Sequence, residues 1–286
     1  MMFKIYRKYS SFYKPKKIKI INVSCNIGQK KLGVEQGGFH ILNNFLNNKL
    51  INKSISFSNI PDIKCIIINN TKSYYQLKKA VDKSLNENDK TLILGGDHSI
   101  SSSSIPSFLD KYRENAHIFW IDAHADINTK ESSLTQNTHG MSLSKIFGLM
   151  KNDVSQNYYP DFSQLSYLGL REIDNFENKL IKTNNIDILN ISDIKNINEK
   201  FINKNLYVSI DVDALDHSDM PCTGTISQKK GLCIDELIVF LKNISINNNI
   251  ECLDIVEFNP KIGTQNDVIK STNNINKILI NLLEYI

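Results

Sequence analysis

The chain has 286 residues, with 34 Lys and Arg against 30 Asp and Glu, a hydrophobic fraction of 41% and a formal charge of +4. That length can bury one large core, and the supply of apolar residues excludes a chain disordered throughout. No run of about 18 apolar residues occurs, which excludes a membrane-spanning helix, and no nucleic-acid-binding motif accompanies the small basic excess.

The excess has a location. Lys4, Arg7, Lys8, Lys14, Lys16, Lys17 and Lys19 fall in the first twenty residues without one acid, so the other 266 residues carry −3 against the +4 of the whole. Residues 1–17 read as a basic, solvated N-terminal arm, with a mitochondrial-type targeting segment as the alternative. The remainder, 18–286, reads as a single domain. Five cysteines, Cys25, Cys65, Cys222, Cys233 and Cys252, are widely spaced and form no C-x-x-C pair. A disulfide framework and thiolate zinc sites are therefore not expected, which points to a reducing compartment. The expected location is cytoplasmic, or mitochondrial if the arm is a targeting peptide.

Beyond the arm, apolar runs alternate with amphipathic stretches. Ile18–Val23, Cys65–Ile68, Thr91–Leu94, Ile118–Asp122, Leu165–Leu170, Ile186–Ile191, Leu206–Asp211 and Cys252–Glu257 predict strands covered on both faces, because they are short, rich in Ile, Val or Leu and show little polar alternation. Gly38–Leu50, Ser73–Leu85, Asp235–Ile244 and Val268–Leu283 carry apolar residues three and four apart, as helices do. The alternation predicts an α/β fold with a largely parallel sheet.

Polar clusters follow the predicted strands, where ligands bind in open α/β sheets. Gly95-Gly96-Asp97-His98-Ser99 follows the third run, Asp122-Ala123-His124-Ala125-Asp126 the fourth, Asp211-Val212-Asp213 the seventh, and Glu257-Phe258-Asn259-Pro260 the last. On an extended backbone, Asp122, His124 and Asp126 point the same way, and Asp211 and Asp213 do likewise. Crowded carboxylates repel one another unless a cation neutralises them. His98, Asp122, His124, Asp126, Asp211 and Asp213 form a sulfur-free donor set that suits a pair of Mn²⁺ ions better than Zn²⁺ or Fe²⁺. The bland alternatives are a helix-cap role for Asp97 with His98 at a helix start, and an ordinary D-x-D at a strand end. His40, His117 and His217 belong to no cluster and read as structural or exposed.

These segments resemble the signature motifs of the ureohydrolases, and Gly33-Val34-Glu35-Gln36-Gly37 and Thr223-Gly224-Thr225 resemble further segments of that family. The resemblance implies a three-layer α/β/α sandwich around an eight-stranded, mostly parallel sheet, with two Mn²⁺ per subunit. It implies His98, Asp122, Asp126 and Asp211 on one ion and Asp122, His124, Asp211 and Asp213 on the other. Within the family the chain is most similar to the arginase branch. The similarity lies in Asp126-Ile127-Asn128, in Thr135-Gln136-Asn137-Thr138-His139-Gly140, and in the segment from Gly169 to Glu177. Asp216-His217, where Asp-Pro is usual, and Ile226, where Pro commonly follows Thr225, depart from the pattern.

The arginase resemblance implies hydrolysis of L-arginine to L-ornithine and urea by a metal-activated water. Asn128, Thr135 and Asn137 are then expected at the α-carboxylate, and Asp174 and Glu177 at the α-ammonium. Without the resemblance, those two acids read as first-turn helix acids. Glu257 is expected to hold the guanidinium, Asp126 to orient the attacking water and His139 to deliver the proton. Either His139 or Asp126 could serve in that last role. His124 and Thr225 complete the expected substrate-binding set. The resemblance further implies a homo-oligomer, a trimer or hexamer. The alternative functions are an agmatinase or other guanidino-compound hydrolase, and a metal-binding inactive subunit.

Overall fold

The computed structural model describes residues 17–47, 64–69, 73–225 and 227–283. Apart from Lys17, the expected basic arm lies outside these residues, as does Ile226. The strands are β1 (Ile18–Ser24), β2 (Lys64–Asn69), β3 (Lys90–Leu94), β4 (Ala116–Ile121), β5 (Leu165–Leu168), β6 (Asp187–Leu189), β7 (Asn205–Asp211) and β8 (Asn249–Val256). They join in the order β2-β1-β3-β8-β7-β4-β5-β6, and each of these pairings is parallel. Side chains are described for seven of these strands, whereas β2 is described only by its backbone pairing with β1.

The two-residue period of a strand sends alternate side chains into two separate cores. On one face Ile18, Ile20, Leu92, Leu94, Val208 and Ile255 pack with the helices Gly37–Asn47, Ile234–Ile246 and Gln265–Leu282. On the other, Ile21, Val23, Ile93, Ile118 and Trp120 pack with Ser73–Asn86, Ser101–Tyr112 and Ser142–Ile146. The result is three layers with the sheet in the middle. A sheet buried on both faces has little use for polar alternation, which is why its strands read as continuous apolar runs.

Two strands are shorter than their apolar runs. β5 stops at Leu168 because Gly169 turns the backbone into the left-handed region at φ 90°, and Leu170 falls outside the strand. β6 stops at Leu189 because Asn190 caps the following turn, its N–H donating to Asp193 Oδ2 at 2.8 Å.

The strand order positions the site. β3, β8, β7 and β4 are consecutive neighbours in the middle of the sheet. The segments leaving their carboxyl ends carry His98, Glu257, Asp211 with Asp213, and Asp122 to Asp126. β1 and β5 flank these four strands and deliver the loops that begin near Gly28 and Gly169.

Candidate active site

His98 leaves β3 through a glycine pair packed against the end of β1. A Cβ at Gly96 would stand 1.8 Å from the carbonyl oxygen of Cys25, so this close approach requires glycine. Asp97 caps the next turn, accepting from Ser99 N at 2.9 Å, so the cap reading of Asp97 holds. His98 is fully buried, and the Trp120 ring stacks on it at 3.9 Å. Its Nε2 lies 2.8 Å from Ser209 Oγ, while its Nδ1 faces Asp122 at 3.0 Å, Asp126 at 3.3 Å and Asp211 at 3.4 Å.

The Asp122 to Asp126 segment converges differently from the extended backbone expected of it. Asp126 adopts a left-handed backbone with φ 49°, uncommon for a non-glycine residue. Its carbonyl accepts from Leu143 N at 3.0 Å, which ties the bend to the following helix. Asp211 ends β7, and Asp213 lies in the turn that follows it. Asp211 caps the turn Val212–Ala214 and accepts from Asp213 N at 2.8 Å. His124 Nδ1 then stands 3.1 Å from Asp213 and 3.4 Å from Asp122. His98, Asp122 and Asp126 make one group whose ligand atoms all lie within 4.8 Å of one another; Asp122, His124 and Asp213 make another, and Asp122 belongs to both.

The donor chemistry fits divalent cations. Nδ1 of His98 is buried without a hydrogen-bond partner, although three carboxylates surround it. Burial, followed by the charges of Asp213 and Asp122, pushes Asp211 well above the ordinary carboxylate range. Burial and then Asp122 push Asp213 up to about 6. Asp126 is raised by burial and by Asp122. Burial opposes a charge on His124, yet Asp122 and Asp213 outweigh it and raise this imidazole to about 12. So many buried acids raised together mark a site short of positive charge, and hard or borderline cations match its oxygen and imidazole donors.

A cleft of about 630 Å³ opens onto this cluster. Its lining includes His124, Asp126, Asn128, Thr135, Asn137, His139, Asp174, Glu177, Asp211, Asp213 and Thr225, together with Gln29, Lys30 and Lys31. Of the residues expected at the substrate, Glu257 alone is absent from the lining; it sits just behind, buried, with Oε1 3.0 Å from His139 Nδ1. Asp174 and Glu177 form a reciprocal helix cap. Glu177 N donates to Asp174 Oδ1 at 2.9 Å, and Asp174 N donates to Glu177 Oε2 at 3.2 Å. They are thus helix-start acids and cleft residues at once. Asn128 Nδ2 donates to Asp174 Oδ2 at 2.7 Å, and Thr135 Oγ1 accepts from Asn137 N at 3.3 Å. His40 pairs with Thr272 and His117 with Ser166, and His217 is exposed, all apart from the cluster.

Residues 16–282 match the arginase family. The chain belongs to that family. It is 32% identical over 267 residues to an arginase of Plasmodium berghei (strain Anka), covering 81% of this chain and 74% of that one. Against an arginase of Staphylococcus aureus (strain MSSA476) it is 31% identical over 285 residues, covering 88% and 93%. The fold superposes with a TM-score of 0.78 on the crystal structure of Entamoeba histolytica arginase in complex with L-ornithine, at 26% identity, covering 94% of this chain and 98% of that one. The protein is a hydrolase of the arginase type.

Several residues around this arginase-type site had no role assigned to them from sequence. Trp120 stacks on His98 and donates from Nε1 to Asp122 Oδ2 at 3.0 Å, so one indole orients two acidic-cluster members. Ser209 donates to buried Asp254 at 2.6 Å. Gln29 Nε2 donates to Glu257 Oε2 at 2.5 Å. The available signal was positional: Ser209 and Asp254 are polar residues inside apolar strand runs, where a buried side chain needs a partner.

Proposed function

We propose that this arginase-family hydrolase converts L-arginine to L-ornithine and urea, using two Mn²⁺ ions. His98, Asp122, Asp126 and Asp211 would hold one ion, and Asp122, His124, Asp211 and Asp213 the other. When bound, such ions neutralise the acidic cluster and make water a competent nucleophile near neutral pH.

The observation that carries the reading is the set of side chains that line the cleft. Asp174 and Glu177 stand with Asn128, Thr135 and Asn137 in one lining, and His139 and Asp126 belong to the same cavity. A zwitterionic amino acid needs acids for its ammonium and neutral donors for its carboxylate, and the first five residues supply both. Glu257, buried beside His139, would offer its carboxylate to the planar donors of the guanidinium. Addition of water to the guanidinium carbon is followed by cleavage of its bond to the side-chain nitrogen. That nitrogen needs a proton to leave as the amine of ornithine. His139 holds one: burial works against its charge, but Glu257 beside it raises the imidazole to about 9. Protonated at neutral pH, His139 can donate to the departing nitrogen and be reprotonated from solvent.

An agmatinase activity is the second reading. Agmatine has no α-carboxylate, so Asn128 and Asn137 would have nothing to bind. The test is urea release from the two substrates side by side.

A further inference from the structure

The loop after β1 is fastened to the active site at several points. Gly28 N donates to Asp97 Oδ2 at 2.8 Å, and Gly28 O accepts from His139 N at 3.2 Å. A Cβ at Gly28 would stand 2.5 Å from Asp97 Oδ1, so a side chain there would force the loop outward. Lys31 Nζ donates to the carbonyl of Gly224. Between these anchors Gln29 turns inward and donates from Nε2 to Glu257 Oε2 at 2.5 Å.

Glu257 needs such a partner. It directly follows β8 with a left-handed φ of 66°, and its own N–H is spent on Gly96 O at 2.9 Å. Its two oxygens are used unequally. Oε1 accepts from His98 N at 2.8 Å and faces His139 Nδ1 at 3.0 Å. Oε2 faces Gln29, which leaves it an acceptor direction for a guanidinium N–H.

We infer that Gln29 is a positioning residue for the guanidinium, acting through Glu257 by fixing the plane of its carboxylate. This inference rests on the reading of arginine as substrate. A carboxamide suits the task because it donates without carrying charge: it restrains the carboxylate and leaves its negative charge for the substrate. A lysine in its place would compete with the guanidinium, and an apolar side chain of equal length would leave Oε2 free to turn. Orientation matters here because the guanidinium carbon must be held at a fixed distance and angle to the attacking water.

The test compares wild type with Gln29→Met, which keeps length and removes the donor, and with Gln29→Ala, all as Mn²⁺-loaded full-length protein. In both variants kcat/KM for arginine should fall on the order of tenfold, the effect of losing one hydrogen bond to a charged group. The inhibition constant of L-ornithine, which has no guanidinium, should stay at the wild-type value, as should bound manganese. A crystal structure of Gln29→Met should show the Glu257 carboxylate rotated on an unmoved backbone. Unchanged arginine kinetics, or arginine and ornithine weakened together, would overturn the assignment. If wild type releases no urea from arginine, the substrate reading fails on its own. The paired crystal structures then decide, with an unmoved Glu257 overturning the positioning role and a rotated one upholding it.

Discussion

His98 Nε2 lies 2.8 Å from Ser209 Oγ, and Ser209 spends its only proton on Asp254 Oδ1 at 2.6 Å. The hydroxyl must therefore accept from His98, which makes Nε2 a protonated ring nitrogen and turns Nδ1 toward three carboxylates, whose charge, against the opposing effect of burial, raises this imidazole well above its ordinary range. That arrangement is stable with a cation between Nδ1 and the acids. Asp254 is itself held by Ser101 at 2.7 Å and Tyr207 at 2.6 Å, so the chain of restraint is buried from end to end. Ser209→Ala should lower Mn²⁺ affinity by about 10- to 100-fold, read by calorimetric titration of metal-free protein. Unchanged affinity would show that the Ser209 hydroxyl does not support His98 as a ligand.

His139 contacts Glu257 and lines the cleft, but it belongs to neither group of potential ligands. His139→Asn should reduce kcat by roughly two to four orders of magnitude, the usual contribution of a positioned acid. Bound manganese, measured by elemental analysis, should be unchanged. Loss of metal in this variant would make His139 a structural support of the cluster.

Much of the fold and of the acidic cluster was legible in the sequence, for a physical reason. A strand buried on both faces must be apolar throughout, so Leu206–Asp211 and Cys252–Glu257 announce themselves, and carboxylates at their ends have no packing role to hide behind. Conformation was less legible. Asp126 reaches the cluster by a left-handed bend, and nothing in the D-x-H-x-D spacing encodes that φ. Gln29 and Glu257 are 228 residues apart, and their contact exists only because β1, β3 and β8 are neighbours. Asp174 and Glu177 form a helix cap and also line the cleft, so the cap pattern in the sequence says nothing about their part in binding.

Glu177 gives the site a pH dependence. Burial, together with the nearby charges of Asp174 and Asp126, raises its carboxyl to about 7 against the opposing backbone hydrogen bonds. Below that pH it is increasingly neutral and offers no charge to an α-ammonium. The inhibition constant of L-ornithine should therefore weaken as pH falls through 7, and Glu177→Gln should bind weakly with little further change over the same window. Equal pH profiles for the two proteins would separate Glu177 from ammonium binding.

His117 acts on stability. Burial, with Lys204 and Lys200 nearby, lowers its imidazole to about 3. The unfolded chain takes up a proton near pH 6.5 that the folded chain refuses until about pH 3. The contribution of His117 is thus intact above 6.5 and is lost as pH falls, at about 1.4 kcal/mol per pH unit. His117→Phe, placed against Phe119 and Phe201, should flatten the decline between pH 6.5 and 4.5 in urea denaturation of metal-free protein. An undiminished slope in the variant would assign the acid sensitivity elsewhere.

Hydrolysis of a guanidinium carried by an α-amino acid is the activity proposed for this cleft. Its most direct test is urea release by the Mn²⁺-loaded protein from L-arginine and from agmatine at matched concentrations. Urea from arginine with little or none from agmatine is the predicted result. Urea from agmatine alone, or from neither substrate, would contradict it.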